Sequence, residues 1–305
     1  MRAVQFDRFG DEGVLQVRDV EDPVPGHGQV LVRVRAAAIN PGEVYIRQGL
    51  AEQMWPTTFP SGQGSDLAGE VVDAGDSAGR FAVGQPVLGW TNGRASHAEL
   101  VAVPASQLVP KPDGLSWAVA GSLFIAPMAA LASVRAVDPK PGESVAVSAA
   151  AGGVGAIAVQ LARRTGATVI GLAGVDNHEW LRSHGVIPVA YGDGQAKRVL
   201  DAAGGRLSAF VDTFGTGYVD LAMSLGVSAS RINTVADYEA VRRLGVSFQG
   251  AADVAASDNL AEMAQLAATG AVEVPIAATF SLNDVQNAYR ALARRHTHGK
   301  IVLLP

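Results

Sequence analysis

The chain has no cysteine among its 305 residues. Disulfides, thiolate nucleophiles and cysteine-ligated zinc are therefore outside its chemistry. Positive charge is also scarce. With 24 Lys and Arg against 29 Asp and Glu, the net charge of −5 has the wrong sign to gather a phosphate backbone or an anionic lipid surface, so no nucleic-acid and no membrane partner is expected. Long apolar runs are missing as well, since the most apolar stretch, residues 118–137, is broken by Gly121, Pro127 and Arg135. Together with an N-terminal segment that has no long apolar stretch, this predicts a cytoplasmic protein. What is present, 48% apolar and 17% charged residues, is enough for one large or two medium globular domains.

The first third is punctuated by Pro23, Pro25, Gly26, Gly28, Pro41, Gly42 and the run 60–64, with short alternating segments such as residues 29–36 (QVLVRVRA) between them. That texture predicts antiparallel strands and few helices before residue 115. From about Trp117 onward, apolar strands alternate with helical patterns, the mark of βαβ units and a parallel sheet. Candidate strands in this part are residues 168–172, 187–191, 209–213, 231–235 and 246–250. Helices over 259–269 and 282–294 and a strand over 300–304 complete the chain.

The strongest local signal is an apolar strand that runs into Ala150, Ala151, Gly152, Gly153, Val154 and Gly155 and then into an amphipathic helix. On the dinucleotide fingerprint the first glycine place is Ala150, and the second and third are Gly152 and Gly155. Gly152 lets the backbone approach a pyrophosphate, Gly155 lets helix and strand pack closely, and the helix N-terminus faces the anion. At the tip of the next strand, where an acid would receive the ribose hydroxyls of NAD, stand Ala173 and Gly174. Asn177, His178, Arg182 and Tyr191 nearby offer hydrogen bonds or charge to a 2′-phosphate, which points to NADPH. Asp176 is the discordant residue, and capping the helix that begins near Asn177 is its alternative role.

Five segments, residues 40–49 (NPGEVYIRQG), 64–75 (GSDLAGEVVDAG), 149–155 (AAAGGVG), 212–215 (DTFG) and 299–303 (GKIVL), resemble the medium-chain dehydrogenase/reductase superfamily in order and spacing. Within it the chain is similar to the zinc-independent quinone oxidoreductase (zeta-crystallin-like) branch. The resemblance implies an α/β protein in two domains. One is a GroES-like β-barrel catalytic domain from residues 1–116 and 256–305; the other is a doubly wound Rossmann NADP(H)-binding domain from residues 117–255. It also implies a homo-oligomer, a dimer by analogy.

Zinc-containing relatives place a Cys, a His and an acid on the metal. The matching places here hold Asn40, Ser65 and Asp66, a set with little affinity for zinc, so no metal is expected. Without a Lewis acid, reduction of an electron-poor conjugated acceptor is favoured over alcohol oxidation. The resemblance nominates Asn40 and Tyr45 as donors to a carbonyl oxygen gathering charge. Asp66 is a candidate for acid/base work, with anchoring of backbone amides or of Arg47 as its structural alternative. His97 is either a cleft residue or a hydrogen-bonded structural one. Trp55, Trp90, Phe59 and Phe124 are either walls for a flat acceptor or core. By analogy Val235 and Phe248 run past the nicotinamide, and Lys300 of the closing motif touches the cofactor or lies at the surface. These assignments describe an NADPH-dependent reductase of a quinone or other conjugated carbonyl. The alternatives are an enoyl or enone double-bond reductase in a biosynthetic pathway and an NADPH-binding sensor without turnover.

Overall fold

The structure, a computed structural model, describes residues 1–75 and 80–305. Its chain divides into two compact units, one of Met1–Ile125, Ala256–Ala271 and Ile276–Pro305, the other of Ala126–Ala255 and Val272–Pro275.

The first unit begins with eight strands: β1 (Arg2–Phe6), β2 (Gln16–Asp19), β3 (Gln29–Ala38), β4 (Ser61–Gly62), β5 (Asp66–Asp73), β6 (Pro86–Trp90), β7 (Leu100–Pro104) and β8 (Leu108–Pro110). In β3 the residues Val30, Val32 and Val34 point into a core of valines and leucines, while Arg33 and Arg35 face outward. The alternation stops at Ala36, Ala37 and Ala38, all buried, because both faces are covered there. Helix Trp117–Ala120 ends at Gly121, whose carbonyl accepts from the Ala38 N–H and whose Cα has no room for a side chain: a Cβ would stand 2.4 Å from the Ala36 carbonyl oxygen. Small residues at both points allow this close approach. Among the described residues one α-helix, Pro41–Arg47, interrupts the strands before residue 115, with Asn40 as its N-cap, Pro41 at its first position and the Glu43 carboxylate accepting from the Asn40 N–H at 2.9 Å.

The second unit carries β9 (Ser144–Val147), β10 (Thr168–Leu172), β11 (Ile187–Val189), β12 (Ala209–Asp212) and β13 (Ile232–Thr234) in the order β11-β10-β9-β12-β13, every pair parallel. Helices Gly155–Arg164, His178–Ser183, Gln195–Ala202, Tyr218–Ser224 and Tyr238–Leu244 alternate with them. This is the Rossmann-like arrangement, and its order reverses between β9 and β12. The expected strand over residues 246–250 is not one. Only Ser247 makes a backbone bridge, to Asn233. The next ladder position is taken by the Asn233 side chain, whose amide accepts from the Gln249 N–H at 2.7 Å and donates to the Gln249 carbonyl at 3.0 Å.

The chain then returns to the first unit through helix Ser257–Ala268 and the strands β14 (Ile276–Ser281) and β15 (Lys300–Leu304). The larger sheet there runs β14-β15-β3-β5-β6-β8 with β7 also on β3, and β1 forms a small sheet with β2 and β4. These strands complete the GroES-like unit. Its borders lie where packing puts them. Residues 117–125 stay with the first unit because helix Trp117–Ala120 seats on β3, whereas the sequence reading breaks at 116/117. Residues 272–275, expected with 256–305, pack with the second unit because the Gln160 amide pairs with both backbone groups of Glu273 at 2.8 Å. No helix among the described residues is long and apolar enough to cross a membrane.

Replacing Asn233 by Ala removes the amide that holds Gln249, for an expected loss of about 1–3 kcal/mol. Thermal unfolding and accelerated hydrogen exchange at the Gln249 amide check it; exchange unchanged from wild type would count against this role.

Candidate active site

At the carboxyl end of β9 the chain makes the glycine turn. The left-handed backbone falls on Ala149 (φ 43°), one residue before the first glycine place, so Ala150 stays out of that region. Ala150 is tied to β10 through its N–H on the Leu172 carbonyl, and the Gly152 N–H closes the turn on the Ala149 carbonyl at 2.8 Å. A Cβ on Gly155 would stand 2.1 Å from that same oxygen and 2.9 Å from the Ala150 Cα. Glycine is required there by sterics alone. Gly153 and Val154, half-buried, lead into helix Gly155–Arg164, where the Ala156 N–H donates to the Gly152 carbonyl and the Ile157 and Ala158 N–H groups donate to the Val154 carbonyl.

Across the order reversal, Asp212 at the end of β12 gathers what surrounds it. Its Oδ1 accepts from Ser148 Oγ at 2.6 Å and from the N–H groups of Phe214 and Gly215, and its Oδ2 accepts from Thr234 Oγ1 at 2.7 Å. Burial raises the carboxyl above its usual range, against the pull of these bonds. One buried carboxylate thus pins the carboxyl ends of β9, β12 and β13. The sequence displays Asp212 within DTFG beside its backbone partners Phe214 and Gly215, but its side-chain partners Ser148 and Thr234 lie 64 and 22 residues away and no role could be read from it.

The residues expected at the adenosine phosphate lie past the ends of β10 and β11. Gly174 sits beside Tyr191, whose hydroxyl is 3.6 Å from where a Gly174 Cβ would stand. The His178 ring pairs with the Ala173 carbonyl at 3.3 Å, Asn177 is half-buried, and Arg182 is exposed one turn further along the same helix. Asp176 lies exposed in the short 3₁₀ turn Val175–Asn177 and caps nothing. Arg198, unremarked in the sequence, holds the Tyr191 loop by donating to the carbonyls of Ala190, Gly192 and Asp193. Val235 hangs from the Asp212 carbonyl by its N–H, and Phe248 packs on Tyr238 with ring centres 4.5 Å apart.

In the first unit, Asn40 and Asp66 form one buried cluster. Asp66 Oδ1 accepts from the N–H groups of Phe124 and Ile125 at 2.9 Å, and its Oδ2 accepts from Asn40 Nδ2 at 2.7 Å. Of the readings open to Asp66, anchoring of backbone amides is the one realised. Arg47 is not its partner: it donates to the Asp11 carbonyl and lies over the Tyr289 ring at 4.6 Å. Asn40 Nδ2 also faces Glu43 Oε1 at 3.4 Å, and its Oδ1 accepts from Lys300 Nζ at 2.5 Å. Both amide hydrogens are thereby spent inside the cluster, leaving none for the carbonyl oxygen foreseen for Asn40. Lys300, foreseen at the cofactor or the surface, is 4% exposed. Burial lowers its pKa and raises that of Asp66, while the opposite charge of each works against both shifts.

Around this cluster, Glu43 Oε2 accepts from the Tyr289 hydroxyl at 2.6 Å, which in turn accepts from Gln63 Nε2 at 3.0 Å. His97 is buried against the Ala38 carbonyl at 3.3 Å, and burial lowers its pKa, which favours the neutral ring of a structural histidine. On helix Pro41–Arg47 the inward pair is Glu43 and Arg47, so Tyr45, on the other face, is exposed. Trp90 and Phe124 are core, stacked at 4.2 Å. Trp55 and Phe59 are partly exposed on a loop that Arg94 holds through the carbonyls of Trp55 and Pro56 and the Thr57 hydroxyl.

The chain matches the alcohol dehydrogenase GroES-like domain family over residues 26–113 and a family described as zinc-binding dehydrogenase over residues 184–303. A quinone oxidoreductase of Pseudomonas aeruginosa is 30% identical over 329 aligned positions, covering 100% of this chain and 99% of the relative. The structure of the quinone oxidoreductase from Coxiella burnetii superposes with a TM-score of 0.88 at 27% identity, covering 100% and 99% of the two chains. That of the Escherichia coli quinone oxidoreductase complexed with NADPH gives a TM-score of 0.87 at 23% identity, covering 100% of both chains. The chain belongs to the medium-chain dehydrogenase/reductase family, in its quinone oxidoreductase-like branch. It is an oxidoreductase.

A zinc ion does not fit the matching residues. The Asp66 oxygens are committed to two backbone amides and to Asn40, and an ammonium already sits on the Asn40 oxygen, where it would repel a second cation. Among the described residues no group of three or more His, Asp or Glu is placed to hold a metal.

Two outcomes follow. Gly155→Ala is expected to cost about 1–3 kcal/mol in thermal unfolding, whereas Gly250→Ala, with nothing within 4 Å of its added Cβ, stays within about 0.5 kcal/mol of wild type. Acetylation of the native protein by an amine-reactive reagent labels Lys140 and Lys197 and spares Lys300 until the chain unfolds, as read by peptide mass spectrometry.

Proposed function

We propose that the chain is a zinc-independent, NADPH-dependent reductase that delivers hydride to a quinone or other conjugated carbonyl and works as a homodimer. The observation that carries this reading is the buried Lys300–Asn40–Asp66 cluster, whose amide hydrogens are both committed and whose cation is a side chain. A site built so gives no Lewis acid to polarise a simple ketone, and hydride then goes most readily to a carbon already made electron-poor by conjugation.

NADPH, when bound, supplies the hydride. In this reading Gly152, Gly153, Val154 and Gly155 hold its pyrophosphate at the start of helix Gly155–Arg164. Gly174, Asn177, His178, Arg182 and Tyr191 receive the 2′-phosphate, with no carboxylate at the immediate tip of β10 to repel it. Val235 and Phe248 border the nicotinamide. Tyr45, exposed on its helix, is the donor to the oxygen of the reduced carbonyl, while Asn40 and Asp66 act by holding that helix and the Phe124–Ile125 backbone in place.

The test follows loss of dihydronicotinamide absorbance with NADPH and with NADH against quinones, enones and an enoyl thioester. Brisk NADPH-selective turnover of quinones supports the reading, and turnover confined to the thioester replaces it with the double-bond reductase. Tight binding without oxidation leaves the sensor. Arg182→Ala is expected to raise the KM for NADPH about tenfold and to leave that for NADH nearly unchanged.

A further inference from the structure

Lys300 follows Gly299, whose left-handed backbone (φ 86°) leads the chain into β15. Its ammonium leaves water to meet two oxygens, the Asn40 amide at 2.5 Å and the Ile39 carbonyl at 3.2 Å. The other end of the same amide donates to Asp66 at 2.7 Å and faces Glu43 at 3.4 Å. A cation and an anion, both buried, therefore address each other through one amide group. Charge-assisted bonds at its two ends polarise that amide in the same sense, so each strengthens the other. Without the ammonium, the carboxylates of Asp66 and Glu43 would lie in the interior with one cation fewer to balance them, an arrangement proteins rarely tolerate.

We propose that Lys300 is a built-in cation that takes the place of a metal in this fold, locking Asp66 through the Asn40 amide and closing the cluster to divalent ions. Lys300 is thus a positioning residue, acting through Asn40 on the N-terminus of helix Pro41–Arg47 and through Asp66 on the Phe124–Ile125 backbone. The inference deepens the reductase reading, but its charge balance does not depend on which cofactor or acceptor is used.

The experiment compares wild type with Lys300→Ala and Lys300→Met by thermal unfolding and by zinc content after incubation with zinc chloride and desalting. Wild type is expected to retain no stoichiometric zinc and to keep its melting temperature in a chelator. Both variants are expected to melt about 5–10 °C lower. Butylammonium, added to Lys300→Ala, should raise the melting temperature, and butanol at the same concentration should not. One zinc per wild-type chain, a wild-type melting temperature for Lys300→Met, or equal rescue by butanol would overturn the proposal. The wild-type zinc measurement stands even where the variants do not fold. None of these readouts uses turnover, so a protein that passes them and reduces no quinone refutes the reductase reading alone.

Discussion

The first unit depends on one amide. Asn40 accepts from Lys300, donates to Asp66 and caps a helix, and through these few bonds it joins the last strand, the strand β5 and the helix Pro41–Arg47. Each partner is buried, so each bond is made in a medium that strengthens it and that penalises its loss. The Asp66 carboxylate extends the chain of constraint to the backbone at residues 124 and 125, where the first unit ends.

The second unit solves a similar problem with a different group. Five parallel strands end on one side of their sheet, and the reversal of order opens a place where backbone groups lack neighbours. Asp212 satisfies these groups with two oxygens, drawing Ser148, Thr234 and two backbone amides to itself. The glycine turn beside it is shaped by exclusion, because Gly155 has no space for any side chain.

What the sequence disclosed and what it withheld divide along the range of the forces. The glycine turn was legible because its requirements are local: a tight bend, a close packing and a helix start within a few residues. The strands β3, β10 and β15 showed themselves by alternation or by apolar runs bounded by turn residues. Residues 246–250 carry apolar side chains at strand spacing, but such a pattern records burial, and a side-chain amide from Asn233 took the place of the ladder. Tyr45 was drawn to the site by its motif, whereas the helical period that turns Glu43 and Arg47 inward turns it out. The partners of Asp66 and Lys300 could not be seen at all, since Asp66 reaches 58 residues along the chain and Lys300 reaches 260.

That last separation bears on how the protein is made. The first unit is assembled from pieces at both ends of the sequence, with the whole second unit between them. A growing chain can therefore complete β9 to β13 and their helices before the strand β15 exists, while Asp66 and Glu43 wait in a half-built unit without the ammonium of residue 300. Synthesis thus supplies β15 last: the core of β3 and β5 to β8 is made of residues 30–108 alone, while the ammonium at Asn40 and the core around Ile39 and Tyr289 await the final strand.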